Sequence, residues 1–85
     1  MQINKALVEI QVPAAEKTFD VYIPLDCKMG VVLKLVSKCL SQLSNNKYES
    51  DDNSVLCDAH TGIIFNNNLF INELGIKNGS KIILI

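Results

Sequence analysis

Residues 28–43 constrain the fold more than any other stretch, because they alone sustain a helical period over several turns. At about 100° per residue, Met29, Val32, Val36, Cys39, Leu40 and Leu43 fall within one apolar arc, widened by Leu33 and Leu35. Lys34, Ser37, Lys38, Ser41 and Gln42 occupy the opposite side. Four or five short strand-like segments remain, so the economical arrangement is an α+β domain. One helix covers one face of a sheet, and the other sheet face meets solvent or a partner.

The segments before the helix read as a hairpin. Residues 5–12 alternate, with Ala6, Val8, Ile10 and Val12 on one face and Leu7, Glu9 and Gln11 on the other. Pro13 cannot donate to a ladder, and residues 13–17 close the turn. Residues 18–23 return with Phe19, Val21 and Ile23 pointing one way and Thr18, Asp20 and Tyr22 the other, Pro24 ends the strand, and Asp26 is the expected N-cap of the helix. After the helix, residues 45–53 are polar and acidic without periodicity, which predicts a surface loop. Residues 54–58 and 63–65 are short and β-prone, separated by a turn at Ala59-His60-Thr61-Gly62. Residues 69–74 hold a helical or 3₁₀ turn closed by Gly75, and Ser80 to Ile85 form the last strand.

Composition narrows the class. Eighty-five residues suffice for one domain spanning 1–85, and an apolar share of 48% without Trp suits an Ile, Leu and Val core. A net charge of −1, with eight lysines against nine acids, supplies no basic field for nucleic acid. Cys27, Cys39 and Cys57 are odd in number and lack CxxC spacing, which points to free thiols in a reducing cytoplasm rather than disulfides or zinc. No cleavable leader pattern opens the chain, and no run approaches the roughly 20 apolar residues of a membrane span.

The order strand, strand, helix, strand, strand, short helical turn, strand resembles the β-grasp fold of ubiquitin. The segment Leu69-Phe70-Ile71-Asn72-Glu73-Leu74-Gly75-Ile76-Lys77-Asn78-Gly79-Ser80 carries the closest likeness. With Asp58-Ala59-His60-Thr61-Gly62 before it, the chain is more specifically similar to the YukD/EsaB group. Those are small ubiquitin-like proteins associated with type VII, WXG-type secretion in Gram-positive bacteria. The resemblance implies a mixed five-stranded sheet of order 2-1-5-3-4, with residues 80–85 central and parallel to residues 5–12. It places the helix over Val8, Ile10, Phe19, Val21, Cys57, Ile82 and Leu84. It also implies a cytoplasmic accessory protein whose partners are proteins of membrane-associated secretion machinery, without itself inserting in the membrane.

Reactive chemistry is sparse. Ubiquitin-like proteins that are conjugated or carry sulfur use a flexible tail ending in Gly-Gly, whereas this sequence ends Ile82-Ile83-Leu84-Ile85. A sulfur-carrier or modifier role is thus the alternative, and it requires a longer chain. His60 is the single histidine and reads as a solvated turn residue; the acids Glu49, Asp51 and Asp52 lack the spacing of a calcium loop. We expect no catalytic residues, no metal and no cofactor. The period of two instead sends Ile83, Ile85, Leu56 and Leu7 to the outer sheet face, with Lys81 and Tyr22 at its rim. This is an expected protein-binding patch, corresponding in location to the hydrophobic patch of ubiquitin, unless Met1 to Asn4 or a second copy of the chain covers it.

Overall fold

The structure is a computed structural model that describes residues 4–49 and 53–85. Strand β1 (Lys5–Val12) turns through a 3₁₀ segment at Pro13–Ala15 into β2 (Lys17–Pro24). Glu16 closes that turn at φ 53°, and its N–H donates to the Pro13 carbonyl. Helix α1 (Met29–Leu43) follows, then β3 (Leu56–Asp58), a 3₁₀ turn at Ile71–Leu74 and β4 (Lys81–Leu84).

The sheet has four strands in the order β2-β1-β4-β3. β1 and β2 are antiparallel over their whole length, β1 and β4 are parallel, and β3 and β4 are antiparallel. The last strand is therefore central and parallel to the first, as expected, but the sheet is not five-stranded. Residues 63–65 contribute a single bridge, Cys57 to Ile64. Asp58 N–H still bonds the Ile63 carbonyl and Phe65 N–H the Leu56 carbonyl, at 2.9 and 3.0 Å. Pairing stops there because the segment is hemmed in by Gly62 at φ 77° and by the turn in which the Asn66 side chain accepts the Asn68 N–H.

The core lies between α1 and one sheet face, and includes Ala6, Val8, Ile10, Val12, Ile23, Met29, Val32, Val36, Leu40, Leu56, Ile82 and Leu84. On the helix, Met29, Val32, Val36, Ser37 and Leu40 are buried. These positions follow the i, i+3, i+4 pattern of one packed stripe. Leu35, Cys39 and Leu43, which the apolar arc included, are exposed. Leu35 and Cys39 sit to one side of the buried row, whereas Leu43 is in phase with it but is the last residue of α1.

Two expectations for local chemistry change in three dimensions. The helix N-cap is Lys28, not Asp26, and no side chain caps it. The first-turn amides are satisfied instead from far along the chain: Met29 N–H donates to the Leu69 carbonyl and Gly30 N–H to the Asn67 carbonyl, at 2.8 and 3.0 Å. Ile71 and Asn72 return two bonds to the carbonyls of Cys27 and Leu25, and the Lys28 ammonium lies 5.9 Å from the Phe70 ring centre. A helix terminus needs partners for its orphan amides, and here a tertiary clamp supplies them. Gly30 serves that clamp. A Cβ there would meet the Asn67 carbonyl oxygen at 3.2 Å. Gly30→Val should therefore force the 67–69 segment away and cost about 1–3 kcal/mol, read as a lower urea midpoint at unchanged slope.

The second change concerns the loop after the helix. Tyr48, within the polar stretch, is buried in the core. Its hydroxyl donates to Ser54 Oγ at 2.6 Å, and its N–H donates to the Ser44 hydroxyl at 3.2 Å. The acidic pair Asp51 and Asp52 lies outside the described residues.

Candidate functional site

The strand registers lay out the sheet face opposite the helix row by row, since residues directly opposite one another share a face. In one row Tyr22 stands opposite Leu7. The next runs Asp20, Glu9, Lys81. A third runs Thr18, Gln11, Ile83, Cys57 and continues through the bridge to Ile64. Beyond it, Val55 and Ile85 exchange two backbone hydrogen bonds of 3.0 Å each.

This layout divides the five residues singled out from sequence. Leu56 is not on the outer face. It is only 3% exposed and pairs with Leu84, itself buried, beneath the helix. Cys57, assigned to the core from sequence, takes the outer phase opposite Ile83 and is buried there beside the 63–65 segment. The reason is a phase difference of one residue in a three-residue strand, which exchanges the two faces. Leu7, 37% exposed, does lie outward, but four residues along β1 from the partner of Ile83, roughly 13 Å away. The Glu9 and Lys81 row separates it from Ile83, so Leu7 joins Tyr22 rather than the C-terminal isoleucines.

Ile83 and Ile85 share the far end of the face with Val55 and Ile64. Ile85 and Ile64 are 63% and 59% exposed, and Ile63 next to them is also exposed. Sequence reasoning missed Val55 and Ile64. The signal available was the adjacent pair Ile63-Ile64, since two neighbouring strand residues cannot both be buried against the same helix. Any cover from the N-terminal residues falls, for residues 1–3, outside the described residues; the Asn4 carbonyl accepts the Leu25 N–H.

Known folds match this arrangement along its length. The EccD5 ubiquitin-like domain from Mycobacterium xenopi superposes with a TM-score of 0.79 at 17% identity, covering 95% of this chain and 92% of that one. The fold is that of ubiquitin. The ubiquitin-like domain of the Mycobacterium tuberculosis type VII secretion system protein EccD1 aligns similarly, with a TM-score of 0.75, 13% identity, and 95% and 97% coverage. A chain of the MycP5-free ESX-5 inner membrane complex gives a TM-score of 0.81 at 11% identity, covering 96% of this chain but 21% of its own length. No protein-family model matches the sequence, and no curated protein does.

Among the described residues, no group of three or more His, Cys, Asp or Glu converges on a point that could hold a metal ion. His60 is exposed, whereas Cys57 is buried. The Asp58 carboxylate accepts the His60 backbone N–H at 2.9 Å, so it shapes the turn. A shallow cleft beside it is lined by Asp58, His60, Phe65, Ser80 and Lys81, among others. Ser80 Oγ is engaged by the Lys77 N–H. No helix among the described residues is long and apolar enough to cross a membrane.

Proposed function

We propose that residues 1–85 form a single, non-catalytic ubiquitin-like interaction module of the YukD/EsaB group. It works in the cytoplasm as an accessory or regulatory component of a type VII secretion apparatus. Docking uses the aliphatic end of the outer face, Ile83, Ile85, Val55 and Ile64, with Lys81 at the edge. The observation that carries this reading is the near full-length likeness to EccD ubiquitin-like domains, joined to an exposed aliphatic cluster on the outer sheet face. Its location is supported by three free thiols, at home in a reducing compartment.

The test is co-isolation from a native host with secretion components identified by mass spectrometry. Both Ile64 and Ile85 are exposed, so Ile64→Ser combined with Ile85→Lys should leave thermal stability nearly unchanged. It should reduce capture of the secretion components by about tenfold or more, since central apolar anchors dominate interface energies. Undiminished capture by a folded double variant would remove the docking surface from the proposal.

A further inference from the structure

Backbone direction shows which edge of the sheet is open. On β1, Leu7 N–H donates to the Asn78 side chain, Glu9 N–H donates to the Ser80 carbonyl, and the Leu7 carbonyl accepts the Gly79 N–H. Leu7 and Glu9 thus turn their polar groups toward β4. Because bonding alternates along an antiparallel strand, Ala6, Val8, Ile10 and Val12 bond β2 through Ile23, Val21, Phe19 and Lys17. Thr18, Asp20 and Tyr22 are left with N–H and C=O groups projecting from the outer edge. No backbone partner reaches them among the described residues. The next outward position is Pro24, which has no N–H. The opposite edge differs, because Ile63 and Phe65 bond β3 there.

We propose that the outer edge of β2 receives an extended segment of a partner protein in which apolar residues alternate with lysine or arginine. Added strands gain main-chain bonds along such an edge and draw specificity from alternate side chains. On the helix side, Phe19 and Val21 are only half-buried although they pack against the core, so apolar residues of the incoming strand would complete their burial. On the other side, Asp20 is exposed and stands opposite Glu9, two acids facing each other at the edge. Lys81 already flanks Glu9 from β4, so Asp20 is the acid left at the open edge, and a cation on the incoming strand beside it completes the row.

A second copy fits this edge poorly. In the fully overlapped two-fold register Asp20 faces Asp20. A two-residue slide one way sets Thr18 against Pro24, which lacks a donor, and the other way sets Tyr22 against Glu16, whose φ of 53° has left the strand. An eight-residue edge normally needs such guards against self-pairing. This surface lies at the sheet edge opposite the isoleucine cluster and does not depend on it.

The experiment is an NMR titration of the whole chain with two capped octapeptides, one alternating valine with lysine and one alternating valine with glutamate. The valine-lysine peptide should perturb residues 17–24 and slow amide exchange at Thr18, Asp20 and Tyr22 by about tenfold near saturation. It should bind about three- to tenfold more tightly than the valine-glutamate peptide, and Asp20→Lys, at an exposed site, should reverse that order. Methylating the lysine peptide's backbone nitrogens that face β2 should abolish the protection. The proposal is overturned if neither peptide binds, if shifts fall outside residues 17–24, or if Asp20→Lys leaves the preference unaltered. It is equally overturned if protection at these amides rises with protein concentration alone, which would assign the edge to self-association.

Discussion

Leu56→Lys should strip the domain of much of its stability, while Ile85→Lys should leave it nearly unchanged. Leu56 is 3% exposed and packs beside Leu84 under the helix, so a lysine there buries an ammonium without a partner. Such burial costs several kcal/mol, roughly 4 or more when the charge cannot reach water. A domain of 85 residues has roughly 4–13 kcal/mol in hand. Ile85 is 63% exposed, and its replacement should change stability by no more than about 0.5 kcal/mol. Urea denaturation followed by circular dichroism compares the two directly. A stable Leu56→Lys alongside an unfolded Ile85→Lys would reverse the face assignment of β3, and with it the layout of the outer face.

Tyr48→Ala should be nearly as damaging, in a segment whose composition reads as a solvated loop. The ring is 4% exposed and belongs to the main core, and its backbone and hydroxyl are tied to Ser44 and Ser54. Truncating a buried aromatic removes its packing and leaves a cavity, a loss of about 3–5 kcal/mol. Tyr48→Phe isolates the hydroxyl and should cost about 1 kcal/mol, the net value of one hydrogen bond. Comparing the two midpoints at a constant slope separates packing from polar tethering. If Tyr48→Ala melted like the parent protein, the loop would have no anchor in the core.

Periodicity carried far in this chain where segments are long. The alternation over β1 and β2 set both strands and their faces, because eight residues repeat the period of two several times and one misplaced residue cannot alter the phase. The helix stripe likewise placed Met29, Val32, Val36 and Leu40 inward. Short elements escaped. In β3, three residues leave the phase to be chosen by the partner strand, so Leu56 went inward and Cys57 outward. Residues 63–65 were β-prone in composition yet paired at one bridge, since turns on both sides hold them away from a second.

The candidate surface was half visible for the same reason. Ile83 and Ile85 follow from alternation in the last strand, but their neighbours Val55 and Ile64 come from segments that only the assembled sheet brings alongside. Helix capping shows the limit most directly. Asp26 has the chemistry of a cap, but the carbonyls of Asn67 and Leu69, some forty residues on, reach the first-turn amides instead.

By itself, the sequence determined the amphipathic helix, the N-terminal hairpin and the inward face of each long strand, because those depend on local repeat and side-chain hydrophobicity. Only the tertiary structure decided the phase of β3, the caps of α1, the burial of Tyr48 and the membership of the exposed isoleucine cluster. Each of those depends on contacts between residues distant in the chain, and a short segment takes its orientation from the neighbour it pairs with rather than from its own pattern.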